Sequence, residues 1–588
     1  MDAAEWEMTL DFESAKKAPV RKCFVRHPES FDSTDEMNEW LGSSSLHYIV
    51  DLRGVHAGAP AGDEFRRPRV RGVAALPLED FNSIPACTRC KDDSLRYRVT
   101  KMRMLDLFSG GGGLSKGLVQ AGICEPKYAV DNNSSACAAY RTNFPEVKSI
   151  HGDVNVILSR TLLAAEGQAE YLATLNDQAR ASLLPDQHEI DFVCGGPPGQ
   201  SLSGANRFKK DDDPRTAMVA AVLSAVEHYR PKYFLIENVP DALTHKIAGP
   251  VPRAGSADSE ESVDPPPNRI EQGILRFLMR VTLDLGYSFR FGVLQASQYG
   301  APQRRRHAFI LGARSNLTLP ELPLATHRVN TPETGIRLPT GGYLDALQVK
   351  SGFALHPAVT IWDAISDLKP FDWVNPHFLV PQTQSTRNEA RDRRVNGIPS
   401  FVAVQEEKRE IGLGADDQAI DYREDSPITT YQMEARKNVQ QVTGHYTSSY
   451  VSEKFVERVV TIPLSANADH RTLPEILRHG DFLSNIFGSG GTSGYYRGAF
   501  GRYDKTDQFA TILTSLRPAR KNGFCIHPEQ KRMLTMRELA RAQGFPDDFV
   551  FSGSVDEVNR QIGNAVAVQV SRAIGKEIKK AMIEDRLI

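Results

Sequence analysis

At 588 residues the chain is too long for one small core, so two or three folding units are expected. With 40% hydrophobic and 24% charged residues it falls outside the mostly disordered class and should fold over most of its length. Its 71 basic and 73 acidic residues nearly cancel, which excludes a polycation and confines any nucleic-acid site to a local basic patch.

The N-terminal segment MDAAEWEMTLDFESAKK is acidic and polar, without the basic-then-apolar order of a secretory signal. No apolar run approaches the roughly 20 residues that span a bilayer. A soluble, intracellular protein with no membrane partner is expected, and seven scattered cysteines read as reduced thiols. Residues 1–100 look like an irregular extension with short apolar runs such as Tyr48-Ile49-Val50. Cys87 and Cys90 make a CxxC, half of a zinc site. No second pair follows at suitable spacing, and His47 and His56 are weak candidates, so no metal site is expected.

Residues 101–315 alternate short apolar strands with amphipathic helices, the pattern of a largely parallel α/β sheet. Met104 to Phe108 reads as a strand, Gly110 to Gly113 turn the chain, and Leu114, Leu118 and Ala121 recur at helical spacing. Ile190–Cys194 and Tyr233–Ile236 are further buried-strand candidates. A Pro/Ser/acidic stretch over 249–267 interrupts the pattern as an insertion. Gln303–Arg314 carries Arg304, Arg305, Arg306 and Arg314 without an acid, a basic patch or a solvated loop. Residues 316–495 are mixed and polar. Helical and strand signals return over 496–588, ending in the helix-like Ser571–Met582, which predicts a core split by an inserted middle region.

The glycine-rich turn after the first strand opens a helix, where backbone amides favour a carboxylate or phosphate. Its spacing is neither the usual GxGxxG nor a P-loop. Val130-Asp131, about 20 residues on, offers an acid that can hold a ribose diol. His151-Gly152-Asp153-Val154 repeats the strand-end acid. Together they predict a nucleoside-bearing cofactor.

DLFSGGGGLSKG, CGGPPGQSLSGANRF, FLIENV, QYGAPQRRRHAFILG, RELARAQGFPD and QIGNAVAVQV follow one another in the order seen in DNA cytosine-5 methyltransferases. The chain resembles that family over about 103–315 and 495–575, and GRYDKTDQFATILTS and IHPEQKRMLT look most like its eukaryotic maintenance-type and fungal members. The resemblance implies a Rossmann-like methyltransferase fold with a mostly parallel sheet, an inserted target-recognition region over 316–495, and S-adenosylmethionine as cofactor. It places Phe108, Gly110, Gly112, Asp131, Asp153, Val154, Asn564 and Val566 at the cofactor. Asn132 stands where many relatives have an apolar or aromatic residue.

Position 5 of cytosine is a poor nucleophile. A thiolate adding to position 6, with an acid on ring N3, turns the ring into an enamine that attacks a sulfonium methyl. By resemblance Glu237 is that acid and Arg305 the arginine that orients the base and nucleophile loop. The next family arginine is His307 here. The nucleophile position is Gly199, where the family's PPCQ has cysteine. Ser201 and Ser203 have no adjacent base in the sequence, and Cys194 lies back on the strand, so none rescues the step. Two explanations stand: an engineered or recent loss of cysteine, or a natural pseudoenzyme kept for binding.

Duplex DNA is the expected partner, with Gln200, Ser203, Arg304 and Arg306 as contacts and the target base flipped into the pocket. Thr360 to Leu368 resembles the segment that opens the target-recognition region, and Arg436, Lys437, His445, Lys454 and Arg458 are candidate phosphate contacts or a solvated face. A nuclear location is expected, with chromatin proteins as further partners. The alternatives are a non-catalytic DNA-binding chromatin protein and a tRNA cytosine methyltransferase, a usually shorter subgroup.

Overall fold

A computed structural model of the chain describes residues 99–165, 176–199, 218–248, 269–329, 355–375, 377–403, 409–450, 452–478, 498–516, 518–519 and 523–587, with five short strands outside them. The CxxC, the insertion at 249–267, and Gln200, Ser201 and Ser203 lie outside the described residues. The chain divides into two units. The N-terminal one carries a three-stranded sheet of Trp6–Met8, Cys23–Arg26 and His47–Ile49, with Cys23–Arg26 in the centre.

The second unit is built on seven strands: β1 (Met102–Leu107), β2 (Cys124–Asp131), β3 (Lys148–His151), β4 (Phe192–Gly195), β5 (Tyr233–Asn238), β6 (Tyr287–Gln295) and β7 (Arg306–Arg314). Their spatial order is β3-β2-β1-β4-β5-β7-β6, parallel throughout except for β7. This is the mostly parallel α/β sheet that the sequence predicts. Strands buried on both faces need apolar residues at every position, and period-two alternation sends them to two cores. Leu105, Leu107, Val193, Phe234, Ile236 and Ile310 enter one; Met102, Met104, Phe192, Leu235, Phe309 and Leu311 enter the other.

Helices α1 (Gly113–Ala121), α2 (Ser134–Asn143), α3 (Val154–Ala165), α4 (Met218–Tyr229) and α5 (Gly273–Asp284) link the strands. The C-terminal part adds α6 (Met536–Ala542), α7 (Val555–Asn564) and α8 (Val568–Glu584). α8 lies directly on α1. A Cβ on Gly117 would sit 1.9 Å from Ser571 Oγ and 2.4 Å from the Val568 carbonyl, so the two helices meet only through glycine.

The motif RELARAQGFPD is architectural. Thr535 and Glu538 form a capping box at the start of α6, and Glu538 also takes two hydrogen bonds from buried Arg532. Arg541, fully buried, donates to the Ala364 carbonyl (2.7 Å), to Asp367, and to Asp547 Oδ2 (2.6 Å). It thereby ties the helix Ile361–Ile365, which opens the middle region, to the C-terminal core. Gln543 accepts from Gln303 Nε2 at 2.7 Å and donates to the Ile562 carbonyl at 2.8 Å.

No helix among the described residues is long and apolar enough to cross a membrane. No group of three metal-binding side chains occurs among them.

Candidate active site and cofactor cradle

Parallel strands bring their carboxyl ends to one edge, where the turns after β1 to β5 converge. After Leu107 the chain reverses through Phe108 (φ 57°), Gly110 (φ 53°) and Gly112 (φ 93°) into α1. The left-handed region suits the glycines and strains Phe108. Asp131 at the end of β2 braces this turn: Oδ2 accepts the Gly110 N–H and Oδ1 the Asn133 N–H, both at 2.8 Å. Burial raises the Asp131 carboxyl above its ordinary value, in opposition to those hydrogen bonds. Asp153 follows β3 and accepts from the Asn155 and Val156 N–H groups, capping α3 with Val154 buried beside it. The Val566 carbonyl would lie 2.9 Å from a Cβ on Gly113, so the C-terminal motif closes on the same turn. Asn564 ends α7 and is exposed, as is Asn132.

The cradle has room for a ligand. A Cβ on Gly110 would meet nothing within 4 Å, and the buried Ser109 Oγ has no partner among the described residues. The α1 N-terminus starts at Gly112 with no side-chain cap, leaving amides for an anionic group. Open space, a carboxylate and free amides fit a nucleoside with a charged tail, as S-adenosylmethionine has.

A further acid, Asp106, stands behind the cradle without a sequence motif of its own. It is fully buried, accepts Ser115 Oγ at 2.5 Å and Tyr140 OH at 3.3 Å, and so ties β1 to α1 and α2 beneath the turn. Burial pushes its carboxyl up to about 7, against the hydrogen bonds from Ser115, Cys194 and Tyr140. Its signal was a lone acid inside an apolar strand.

Glu237 lies near the end of β5, buried, with Oε2 3.1 Å from where a Cβ on Gly196 would be. Its Oε1 meets His307 Nδ1 at 2.5 Å. The register explains the contact. Phe309 pairs with Glu237, so His307, two residues earlier on antiparallel β7, is its diagonal neighbour on the same face. Burial lowers His307 below its ordinary value, although Glu237 pulls it upward. The imidazole is therefore neutral at pH 7, and its one proton sits either on Nδ1, which then donates to a carboxylate, or on Nε2, which leaves Nδ1 to accept from a carboxylic acid. Nε2 is buried without a partner among the described residues.

Arg305 donates to the carbonyls of Ile512 (3.2 Å) and Gly563 (2.5 Å), and burial lowers its pKa to about 10, so it stays charged. Its charge acts on Glu237 and His307, while its hydrogen bonds join the two halves of the core. Gly199 closes the loop after β4. A Cβ there would lie 2.6 Å from Asn238 Oδ1 and 3.0 Å from both Val239 methyls. Asn238 is held by donating to the Pro197 carbonyl and accepting the Val239 N–H. Cys194 is fully buried, and burial beside Asp106 raises its thiol well above the ordinary value, so it is an inert thiol.

Of the candidate DNA contacts, Arg304 is engaged with Asp507 Oδ2 at 2.9 Å, and Arg306 opens β7, partly exposed. In the middle region, three of the expected phosphate contacts are turned inward instead. Arg436 donates to the carbonyls of Glu424 and Asp425, His445 donates from Nε2 to the Lys369 carbonyl with Nδ1 against Thr535 Oγ1, and Arg458 donates to the Leu477 carbonyl. All three are buried and structural. Lys437 is exposed and Lys454 half-buried.

The sheet order, the glycine cradle and the Glu237 corner together define a Rossmann-like methyltransferase. The profile of the family described as C-5 cytosine-specific DNA methylase matches residues 102–250 and 271–580, and the chain belongs to that family. It is similar to DNA (cytosine-5)-methyltransferase 1B of Oryza sativa, 30% identical over 82% of this chain and 28% of that protein. It is 27% identical to DNA (cytosine-5)-methyltransferase 1 of Mus musculus over 84% of this chain and 29% of that one. The chain thus spans less than a third of the length of these relatives. Among solved structures, the S. pombe Dnmt2 methyltransferase aligns over 83% of this chain and all of its own, at 14% identity and a TM-score of 0.37.

Proposed function

We propose that this chain binds S-adenosylmethionine and duplex DNA and receives a flipped cytosine at Glu237, as a DNA cytosine-5 methyltransferase whose covalent step is blocked by Gly199. The observation that carries this reading is the Glu237–His307 pair, set beside the Gly196–Gly199 loop at the edge that also holds the glycine cradle. When bound, the cofactor supplies an electrophilic methyl group. Glu237 is placed to hold the ring nitrogen of the base, and a His307 proton on Nδ1 stabilises the carboxylate left when Glu237 gives its proton up. Arg305 keeps positive charge in the same corner. Glycine offers no group to add to position 6, so the ring is not activated. A nuclear location and chromatin partners belong to the same reading, as the setting in which duplex DNA is met.

The cofactor part is tested by calorimetry. Asp131→Ala removes the brace on Gly110, and hydrogen bonds to a charged group contribute about 1.5–3 kcal/mol, so affinity should fall roughly ten- to hundred-fold. No heat with the parent chain at millimolar S-adenosylmethionine would remove the cofactor from this reading.

The base part is tested with two duplexes. A fluorescent base analogue at the target position should brighten on adding protein, because flipping unstacks it. A 5-fluorocytosine duplex should give no band on a denaturing gel that carries both protein and DNA. An adduct would show that another side chain acts as nucleophile and that the assignment of Gly199 is wrong.

One observation favours a second reading, a protein that binds DNA without turnover. The space a cysteine side chain needs at 199 is occupied by Asn238 and Val239. A tRNA substrate is separated from both by comparing binding to duplex DNA and to tRNA.

A further inference from the structure

The helix Gln384–Val395 in the middle region has no buried residue. Thr383 caps it, accepting the Thr386 N–H, but a helix that buries no residue cannot be held by an apolar face. Ionic ties hold it instead. Arg393 bonds Asp372 Oδ1 at 2.8 Å and the Glu529 carbonyl at 3.2 Å, and Lys531 lies 3.1 Å from Glu389. Glu389 and Arg393 are one turn apart and mark the inward side.

At about 100° per residue, Arg387, Arg391 and Arg394 fall within roughly 60° of one another on the opposite side, and Asp392 lies about 100° or more away from them. All three arginines are exposed, and none of their guanidinium groups has a hydrogen-bond or ion-pair partner among the described residues. Several other surface cations of this unit are paired with acids: Arg304 with Asp507, Lys505 with Glu529, Arg572 with Glu434. A stripe of unpaired guanidinium groups repels itself and gains from a polyanion. From Arg387 to Arg394 the helix rises roughly 10 Å, and one DNA strand carries a phosphate about every 3.4 Å of axis, so the stripe spans about three phosphates.

We infer that Arg387, Arg391 and Arg394 form a clamp on the phosphate backbone of duplex DNA, which sets affinity rather than base choice. Guanidinium forks match phosphate oxygens, and backbone contacts carry no sequence information. The inference rests on the proposed DNA substrate, and it places the grip of the middle region on residues other than Arg436, His445 and Arg458.

The test compares the full chain with the triple variant Arg387→Gln, Arg391→Gln, Arg394→Gln by fluorescence anisotropy on a duplex from 50 to 200 mM salt. A second triple, Lys101→Gln, Arg141→Gln, Lys148→Gln, removes three exposed cations around β1–β3 and controls for net charge. The stripe variant should keep its melting temperature and bind about tenfold or more weakly at low salt. Its slope of log affinity against log salt should flatten by about 0.9 per arginine. The fluorescent-base signal at saturating protein should be unchanged. Equal affinity and slope in parent and stripe variant, or equal losses in the two triples, would overturn the clamp while leaving the DNA substrate standing. No duplex binding by the parent would instead sink the proposed substrate. Loss of binding to anionic vesicles with DNA binding intact would assign the stripe to another partner and also overturn it.

Discussion

The Gly199→Cys chain is expected to incorporate tritiated methyl groups into duplex DNA at least about a thousand-fold faster than the Gly199 chain, which should stay at background. The supporting groups are in place. Glu237 meets His307 at 2.5 Å, Arg305 stays charged, and the cradle around Gly110 borders open space. On the proposed reading, the part missing from this corner is the nucleophile. The substitution carries a structural cost, because its Cβ would press on Asn238 Oδ1 at 2.6 Å and on two Val239 methyls at 3.0 Å. Asn238 cannot easily yield, being fixed at both ends of its amide, so the Pro197–Gly199 loop must move outward. Overpacking of this kind costs about 1–3 kcal/mol, which urea titration would register alongside the gain of activity. A folded Cys variant with cofactor and DNA bound but no incorporation would favour the binding-only protein. Incorporation by the Gly199 chain itself would refute the chemistry assigned to this position.

Arg541→Met is expected to destabilise the second unit by about 3–5 kcal/mol at neutral pH, read as a fall in the urea midpoint. Arg541 is fully buried between Asp367 and Asp547, and Tyr422 OH also donates to Asp547 at 2.6 Å. Methionine fills much of the volume but leaves two buried carboxylates short of a cation. Arg436, 3.6 Å from Asp367, makes up only part of the loss. The pH dependence has a definite sign. Burial alone would raise the Asp547 carboxyl, but Arg541 overrides it and holds the group below its ordinary value. In the parent chain that contribution is fully present above the ordinary carboxylate pKa of about 4, and is lost as pH falls through the lower folded value. In the variant the uncompensated charge disappears on protonation, so the gap between the two proteins should be widest near pH 7 and narrow in acid. A gap constant with pH would mean that Arg541 acts by packing alone.

The parts of this molecule that could be read from the sequence are those whose chemistry is local. The turn from Leu107 to Gly113, the acid at Asp131 and the Gly199 loop each sit in one contiguous segment, with the element that positions them next door. The strand pattern was legible for the same reason, since runs such as Tyr233–Ile236 are apolar at every position. What escaped depends on pairing across long separations. His307 and Glu237 are 70 residues apart, and nothing local shows that the histidine is the carboxylate's partner. Arg541 was seen only as part of a motif, because its partner Asp367 lies 174 residues away. Surface position was the weakest reading. Arg436 and Arg458 look like any other basic residue in the sequence, yet they are buried on carbonyls, while Arg387, Arg391 and Arg394 stand clear on a helix that no core demands.

The glycine seam between α1 and α8 has a consequence for how the protein is made. The face of the sheet that carries Met104 and Phe192, together with Leu118 of α1, is covered by α8, which begins at Val568. A ribosome adding roughly 5–20 residues per second needs about 20 to 90 s to go from the end of α1 to the start of α8. Throughout that interval one of the two cores is an open apolar surface on a nascent chain, and the two glutamines that lock the halves, Gln303 and Gln543, have not met. A core closed in this way is complete only once α8 is made, and apolar surface left open until then is prone to aggregate with other chains.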